Sequence, residues 1–321
     1  MAEKNLHTEY DLYLYSDGKF YSRGAPDAPV TICETDFDLG PPQLAAHAYD
    51  MGFTHVLLSS PGGAYLEAIH ERGIGVIADA PDADGILAGA APSRSAFRYQ
   101  WNMRWTEETL AYLSEDPLFR SHHHRRLLSV ETGSFVLPLS REFGSLAARM
   151  PGDEWQKFAN LRLLYGYQAA CPGKKLIFPG DEFHNAGLAR WVRDLNTFYR
   201  AQPALFERDS DPEAFEWVDT ADSQRSILAF RRSGRDFGTQ MLFIFNFTPV
   251  PRQNYRAGVP SRGEWKELLN SDATLYGGSG QGNLGGVESA PVPAHGCPDS
   301  LNLTLPPLAM LAFRKAGEAG A

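Results

Sequence analysis

SFVLPLSREFGSLAARMPGDEWQKFANLRLLYGYQAACPGKKLIFPGDEF, Ser134 to Phe183, contains a strand, a long helix and a second strand. SFVLPLS and KKLIFPGDE are the apolar runs, and Asp153 to Ala170 is the helix between them. Gly187 to Arg200 follows as an amphipathic helix. Working upstream, VTICETDF from Val30, FTHVLLSS from Phe53 to Ser60 and GIGVIADA from Gly73 to Ala80 read as strands. Pro41 to Met51, with Pro near its start, and Tyr65 to Arg72 read as the helices between them. These strands are continuously apolar rather than alternating, which suits burial on both faces. The rhythm is that of βαβ units and a parallel sheet.

At the N-terminal side, DLYLYSDGKFYS reads as a hairpin around Asp17-Gly18. Residues 81 to 96 are rich in Gly, Ala and Pro and loop-like. Helices return at Thr106 to Leu113 and Asp116 to Leu128. From about Gln202 the character changes. FEWVD, SILAFRR, MLFIFNFTPV, NYRAGV and LNLTLPPLAMLAFR are strand-like runs divided by Gly, Asp, Asn and Pro, which predicts an antiparallel sandwich or small barrel. The expected division is an N-terminal extension over 1–29, an α/β domain over 30–202 and an all-β domain over 203–321.

Of the 321 residues, 43% are hydrophobic and 12% aromatic, as expected of a globular chain. A net charge of −9 offers no footprint for nucleic acid or an anionic membrane. No apolar stretch approaches membrane-spanning length, and MAEKNLHTEYDLYLY lacks the apolar core of a secretory signal. Cys33, Cys171 and Cys297 are widely spaced and odd in number, so a reduced, cytoplasmic setting is expected without disulfides.

Three sets of residues invite a functional reading. TLYGGSGQGNLGG, Thr274 to Gly286, lacks a phosphate-binding pattern and reads as a surface loop. On a helix His122, His123 and His124 would step by ~100° each and cannot converge on one ion, so no metal site is expected. Carboxylates cluster after the strands: Glu34 and Asp36, then Asp79, Asp82 and Asp84, then Glu142 beside Arg141, then Asp181 and Glu182. Helix first turns also favour Asp and Glu, so each also has a structural reading.

The blocks WNMRWTEETLAYL, FVLPLS, MPGDEWQKFANLR, PGKKLIFPGDEF, WVRDLN, FEW, NFTPVPR and LNLTLPPLAMLAFR, in this order, resemble the 1,4-α-glucan branching enzymes of the α-amylase superfamily. They run from Phe97 to the C-terminus. APVTICETDF, MGFTHVLLSS and AIHERGIGVIADAPDADG are similar to that family's first three barrel strands. The resemblance implies a (β/α)8 barrel followed by an all-β C-terminal domain. It also implies retaining transglycosylation of α-glucan without a cofactor. A nucleophilic Asp would end the fourth strand, an acid/base Glu the fifth, and a stabilising Asp would follow FVLPLS. Such chemistry needs two carboxyls ~5–5.5 Å apart.

Three departures stand out. Residues 81 to 96 alone separate the third strand from FRYQWNMRW, and no stretch matches the nucleophile strand or the acid/base strand. Ser140-Arg141-Glu142-Phe143 stands where the family has Ser-His-Asp-Glu, putting Glu142 in the place of the stabilising Asp. The loop after Phe183 is short. Five strands are legible over 30–182 against the family's eight, and a barrel of this kind takes ~250 residues where about 175 are at hand. The expected fold is therefore α/β: an incomplete or shrunken (β/α)8 barrel followed by an all-β sandwich domain. An open barrel edge would invite a second copy or a full-length glucan enzyme. Glu142 and Asp79 are the catalytic candidates. Asp36, Arg141, Trp101 and Trp105 are the substrate-binding ones, with Tyr165 and Trp217 as further stacking aromatics. Losing the nucleophile or the acid costs such an enzyme many powers of ten. The expectation is an impaired branching-enzyme homologue, with a rearranged active site or a non-enzymatic glucan-binding protein as the alternatives.

Overall fold

The computed structural model describes residues 13–16, 19–21, 28–34, 39–59, 63–79, 97–178, 180, 185–236 and 239–317. Eight strands form the barrel: β1 (Tyr13–Ser16), β2 (Lys19–Tyr21), β3 (Thr31–Glu34), β4 (His55–Ser59), β5 (Gly75–Asp79), β6 (Phe97–Trp101), β7 (Phe135–Leu139) and β8 (Lys174–Ile177). Their order around the closed sheet is β1-β2-β6-β7-β8-β3-β4-β5. The helices described here are α1 (Pro41–Asp50), α2 (Gly63–His70), α3 (Met103–Ser114), α4 (Glu154–Ala170) and α5 (Ala186–Ala201).

Two expectations are corrected. First, six strands rather than five lie between residues 31 and 177, because Phe97–Trp101 is itself a strand pairing in parallel with β7. Secondly, the barrel has no open edge. The N-terminal hairpin fills the gap: β1 runs parallel to β5, Tyr15 opposite Asp79, and β2 runs antiparallel to β6, Lys19 opposite Gln100. The segment read as an extension thus supplies two staves, and no second chain is needed to complete the sheet. The Asp17-Gly18 turn itself lies outside the described residues.

Alternation along each strand separates two cores. Ile32, Leu57, Ile77, Tyr99, Val136 and Leu176 pack together in the barrel interior. Cys33, Val56, Leu58, Leu137, Leu139 and Ile177 belong to the larger core shared with the helices. Helix α4 begins with a capping box: Asp153 accepts from the Gln156 N–H at 2.8 Å, and Gln156 Oε1 accepts from the Asp153 N–H at 3.0 Å. It stops at Cys171, whose extended backbone suits the proline that follows. Residues 159–170 of α4 are all buried, because the helix is wedged between the barrel and the second domain.

That domain is a sandwich. Its larger sheet runs β14 (Gly286–Glu288), β13 (Glu264–Asn270), β16 (Ala309–Lys315), β11 (Met241–Asn246), β10 (Ile227–Arg232), β9 (Phe215–Asp219). The smaller pairs β12 (Arg252–Val259) with β15 (Asp299–Leu305). Both faces of the larger sheet are covered, which explains runs such as MLFIFNF. Ile227, Leu242, Ile244 and Leu311 face the sandwich core, while Phe230, Phe243, Phe245 and Met310 join the core shared with the barrel helices. Tyr167 on α4 sits at this junction, 5.2 Å from the Phe245 ring and 5.9 Å from Trp105, with its hydroxyl donating to Leu127 O at 2.6 Å.

Charge is buried at the junction too. Asp209 accepts from Lys174 Nζ at 3.3 Å and from Arg232 Nη2 at 2.7 Å, and all three are nearly inaccessible. Lys175, next door, donates to Cys171 O and sits 5.2 Å from the Tyr199 ring centroid. Burial pushes its ammonium down to about 7, with Asp209 opposing the shift. Because the folded value lies below that of the unfolded chain, ~10.4, the unfolded state holds more protons between about pH 7 and 10, and stability rises with pH there. Lys175→Met is therefore expected to be more stable than the parent by about 1–4 kcal/mol at pH 6, Asp209 retaining its other two cations. The advantage should fade above pH ~10. Urea unfolding at both ends of that range reads the difference, and a Met variant equally weakened at every pH would contradict it.

Candidate functional site

In a βα barrel, chemistry is carried at the C-terminal ends of the parallel strands. Here that mouth is built from the ends of β3, β5, β6, β7 and β8. Glu34 is the last residue of β3 and is only 7% exposed. Two residues after interior-facing Ile32, it shares that strand face. Its Oε2 accepts the Arg141 backbone N–H at 3.0 Å, and Arg141 Nε stands 3.7 Å from Oε1. Since β8 lies between β7 and β3 in the sheet, this pair ties two non-adjacent staves together across the mouth. Arg141 thus has a carboxylate partner already, and its role is first of all to hold the rim.

Beside the pair opens a cleft of about 310 Å³, lined by Leu139, Ser140, Gly144, Ser145, Leu146, Phe178 and Gly180. It is framed by the short 3-10 turn Arg141–Phe143 that follows β7. Gly144 ends that turn at φ +63°, a left-handed backbone that glycine adopts without strain. Arg149 Nε, donating to Phe143 O at 2.9 Å, fixes the return of the chain.

The candidates read from sequence divide as follows. Glu142 lies on the 3-10 turn next to Arg141 and is exposed. Asp79 ends β5, its backbone in register with Ser59 on one side and Tyr15 on the other. Asp36, Asp82, Asp84, Asp181 and Glu182 lie outside the described residues. Trp101, at the end of β6, is partly buried against the barrel-interior cluster and stays with the mouth. Trp105 is corrected: it is 1% exposed and stacked on Tyr167, so its ring is core and cannot meet a sugar. Tyr165 is equally buried. Trp217 packs edge-on against Phe215 and Phe230 at 4.8 and 5.6 Å.

The three consecutive histidines sit on a 3-10 rather than an α-helical segment, Arg120–Leu128. His123 contacts Glu115 at 3.3 Å, whereas His124 is buried against Tyr112, with its pKa lowered by burial against the pull of Asp219 and Asp222. Among the described residues no three His, Cys, Asp or Glu side chains are grouped to hold a metal. Nor, among them, is any helix long and apolar enough to cross a membrane.

Sequence reasoning noted Glu34 but did not choose it. The signal was its spacing from Ile32, which puts a carboxylate on the interior face at the strand's end. Chemically, the described mouth offers one buried carboxylate, held by a backbone N–H and a guanidinium. The staves β1 and β2, Tyr13-Leu14-Tyr15-Ser16 and Lys19-Phe20-Tyr21, carry no Asp or Glu.

Residues 217–316 match the family described as alpha amylase, C-terminal all-beta domain. The 1,4-alpha-glucan branching enzyme GlgB of Aromatoleum aromaticum is 51% identical over 244 residues, covering 67% of this chain and 38% of that protein. The GlgB of Aquifex aeolicus is 45% identical over 250 residues, covering 69% and 40%. That of Cupriavidus pinatubonensis is 43% identical over 282 residues, covering 78% and 38%. The chain thus spans well under half the length of these relatives. A solved Nostoc punctiforme debranching enzyme superposes with a TM-score of 0.44 at 14% identity, over 85% of this chain and 60% of that one. Over the part so matched, the chain is a homologue of the 1,4-α-glucan branching enzymes of the α-amylase superfamily.

Proposed function

We propose that this chain is a branching-enzyme homologue that holds α-glucan without remaking its linkages. The observation that carries the reading is the identity of the staves between β5 and β6. The family resemblance expects the fourth and fifth strands there, ending in a nucleophilic Asp and an acid/base Glu. In this sheet the N-terminal hairpin occupies that interval, and YLYS and KFY bring tyrosines, a serine and a lysine instead of carboxylates. A retaining mechanism needs two carboxyls across the glycosidic bond, and among the described side chains of the mouth the one buried carboxylate, Glu34, is already paired with Arg141. The relatives' name, 1,4-alpha-glucan branching enzyme, supports a glucan as the ligand at the mouth. The three buried cysteines, none of them in a disulfide, support a reducing, cytoplasmic compartment.

Co-sedimentation with glycogen and iodine staining of amylose together test the proposal. The protein is expected to pellet with glycogen and to leave the amylose–iodine absorbance unchanged over a long incubation. A falling absorbance that Glu142→Gln abolishes would replace this reading with that of an active enzyme with a rearranged site. Failure to pellet would remove the glucan.

A further inference from the structure

The 3-10 segment Arg120–Leu128 clips the barrel helices to the sandwich. Arg120, fully buried, donates to Leu113 O at 2.6 Å and Glu115 O at 3.2 Å on the barrel side, and to Phe247 O at 2.7 Å just past β11. Towards the other end of the segment, Leu127 O takes the Tyr167 hydroxyl at 2.6 Å. The segment also packs against the sandwich turn Ser223–Arg225. Between the two anchors stands His124, only 3% exposed. We propose that His124 is an acid-sensitive pin in this clip: a proton taken up on its ring opens the segment and loosens the sandwich from the barrel.

The surroundings of His124 suit a neutral ring. Neither Nδ1 nor Nε2 has a hydrogen-bond partner among the described residues. The ring meets Tyr112 of α3 edge-on, with centroids 6.3 Å apart, and Tyr112 in turn meets Phe247 at 5.4 Å. A neutral imidazole leaves one donor and one acceptor unmet in such a place, whereas an imidazolium brings two donors and a full charge. Burying that charge with no bonded partner costs far more than burying the neutral ring. A ring that swings out to water escapes the cost, and the segment that carries it must open for that to happen.

The charged groups nearby are committed elsewhere. On the sandwich side, Asp219 accepts from the Tyr255 hydroxyl at 2.7 Å and from the N–H groups of Ala221 and Asp222 at 2.9 and 3.3 Å, with His295 Nε2 3.6 Å away. Asp222 lies 3.5 Å from Arg225 Nη1. Both carboxylates attract a proton onto His124 through space, but burial outweighs them and keeps its pKa below the ordinary histidine value. On the barrel side, Glu115 is 3.3 Å from His123, and Glu108 is 3.7 Å from Arg126. Tyr112, its phenol pushed up to about 12 by burial, stays neutral. Within the segment, Arg120 sits 5.8 Å from the centroid of that same Tyr112 ring, a second cation against an imidazolium, while His122 and Arg125 are exposed.

Because the closed clip holds His124 below the value of a free ring, ~6.5, the opened segment binds the proton better than the closed one. Opening is therefore insensitive to pH above about 7. It becomes easier as pH falls below ~6.5, until the closed form is itself protonated.

Local hydrogen–deuterium exchange of the intact chain at about pH 7.5 and about pH 5, each peptide corrected for its intrinsic rate, tests this. Opening of residues 120–128 and 222–226 is expected to rise about threefold or more in acid, within the ~tenfold per pH unit that one proton allows. The amides of α4, β10 and β11 are expected to stay protected. His124→Phe keeps a ring and cannot titrate, so it should flatten the pH dependence in those two stretches; His124→Gln serves the same purpose should the Phe ring not fit. An opening that does not change with pH in the parent would overturn the proposal. So would the same rise in a folded variant, which would pass the effect to His47, His55 or His70, whose pKa values burial also lowers. Loss of protection in all segments together would be acid unfolding of the whole chain and would overturn it too. No arm of the experiment uses a glucan, so its outcome is independent of what the mouth holds.

Discussion

Asp209→Asn is expected to destabilise the protein by about 3–5 kcal/mol at neutral pH, the range seen when one partner of a buried ion pair is removed. Asp209 is the anion among three buried cations: Lys174, Arg232 and, by longer-range attraction, Lys175. Burial alone would raise its pKa, but those cations overcome the penalty and hold the carboxyl below its usual range. The amide keeps the shape and removes the charge, so the cations stay in the interior without compensation. Arg232 also donates to Ala170 O and Lys174 to Ala28 O, and those two bonds survive the change. The cluster joins the residues before β3, the end of α4, the link to the sandwich and β10, so weakening it should loosen both domains in one transition.

The pH dependence sharpens the expectation. A depressed carboxyl contributes stability that is fully present above the unfolded pKa, ~3.9, and is lost as pH falls through the folded value. The gap between parent and Asn variant should therefore be widest at neutral pH and narrow in acid. Urea denaturation at pH 7 and below pH 4 reads both limbs. A neutral-pH loss under about 1 kcal/mol would mean that the cations find other partners or stay hydrated, and that Asp209 is not what holds the junction.

Much of this fold was legible in the sequence, for reasons that differ from element to element. The helix from Asp153 to Ala170 carried its own start signal, an Asp with a Gln three residues on, and its own stop at Cys171-Pro172. The sandwich strands β10, β11 and β16 were legible as runs, although they alternate between two apolar neighbours rather than between core and water. What sequence alone did not give was long-range pairing. Phe97–Trp101 follows a Pro- and Gly-rich stretch and is not among the five strands legible in the sequence. The hairpin was recognised as a hairpin, but nothing local says that its strands join β5 and β6. The site followed the same rule. Glu34 and Arg141 lie 107 residues apart in sequence, and their contact depends on β8 standing between their strands. Trp105 was misread because a Trp beside the barrel has the same local signature whether it faces sugar or Tyr167.

Removing residues 1–21 is expected to make the protein self-associate beyond its parent's state and to cost it its cooperative unfolding. Without β1 and β2, β5 loses its parallel neighbour and β6 its antiparallel one, leaving two unpaired edges. Such edges pair with other chains. The slot would also uncover interior side chains, among them Ile77 and Tyr99, now 1% and 7% exposed, each worth about 1.5–3 kcal/mol of burial. The shortened chain should self-associate, bind an apolar dye and lose a sharp unfolding transition. A gentler variant isolates the backbone's part. Leu14 is paired on both sides, opposite Tyr21 in β2 and Ala78 in β5, so Leu14→Pro places a proline in an interior strand, where its missing N–H and fixed φ are not tolerated. Light scattering and thermal unfolding follow both variants. If the truncated protein keeps the parent's oligomeric state and midpoint, and the proline is silent, the hairpin is no stave. The interval between β5 and β6 would then be open to other strands, and with it the case against a catalytic pair at the mouth would fall.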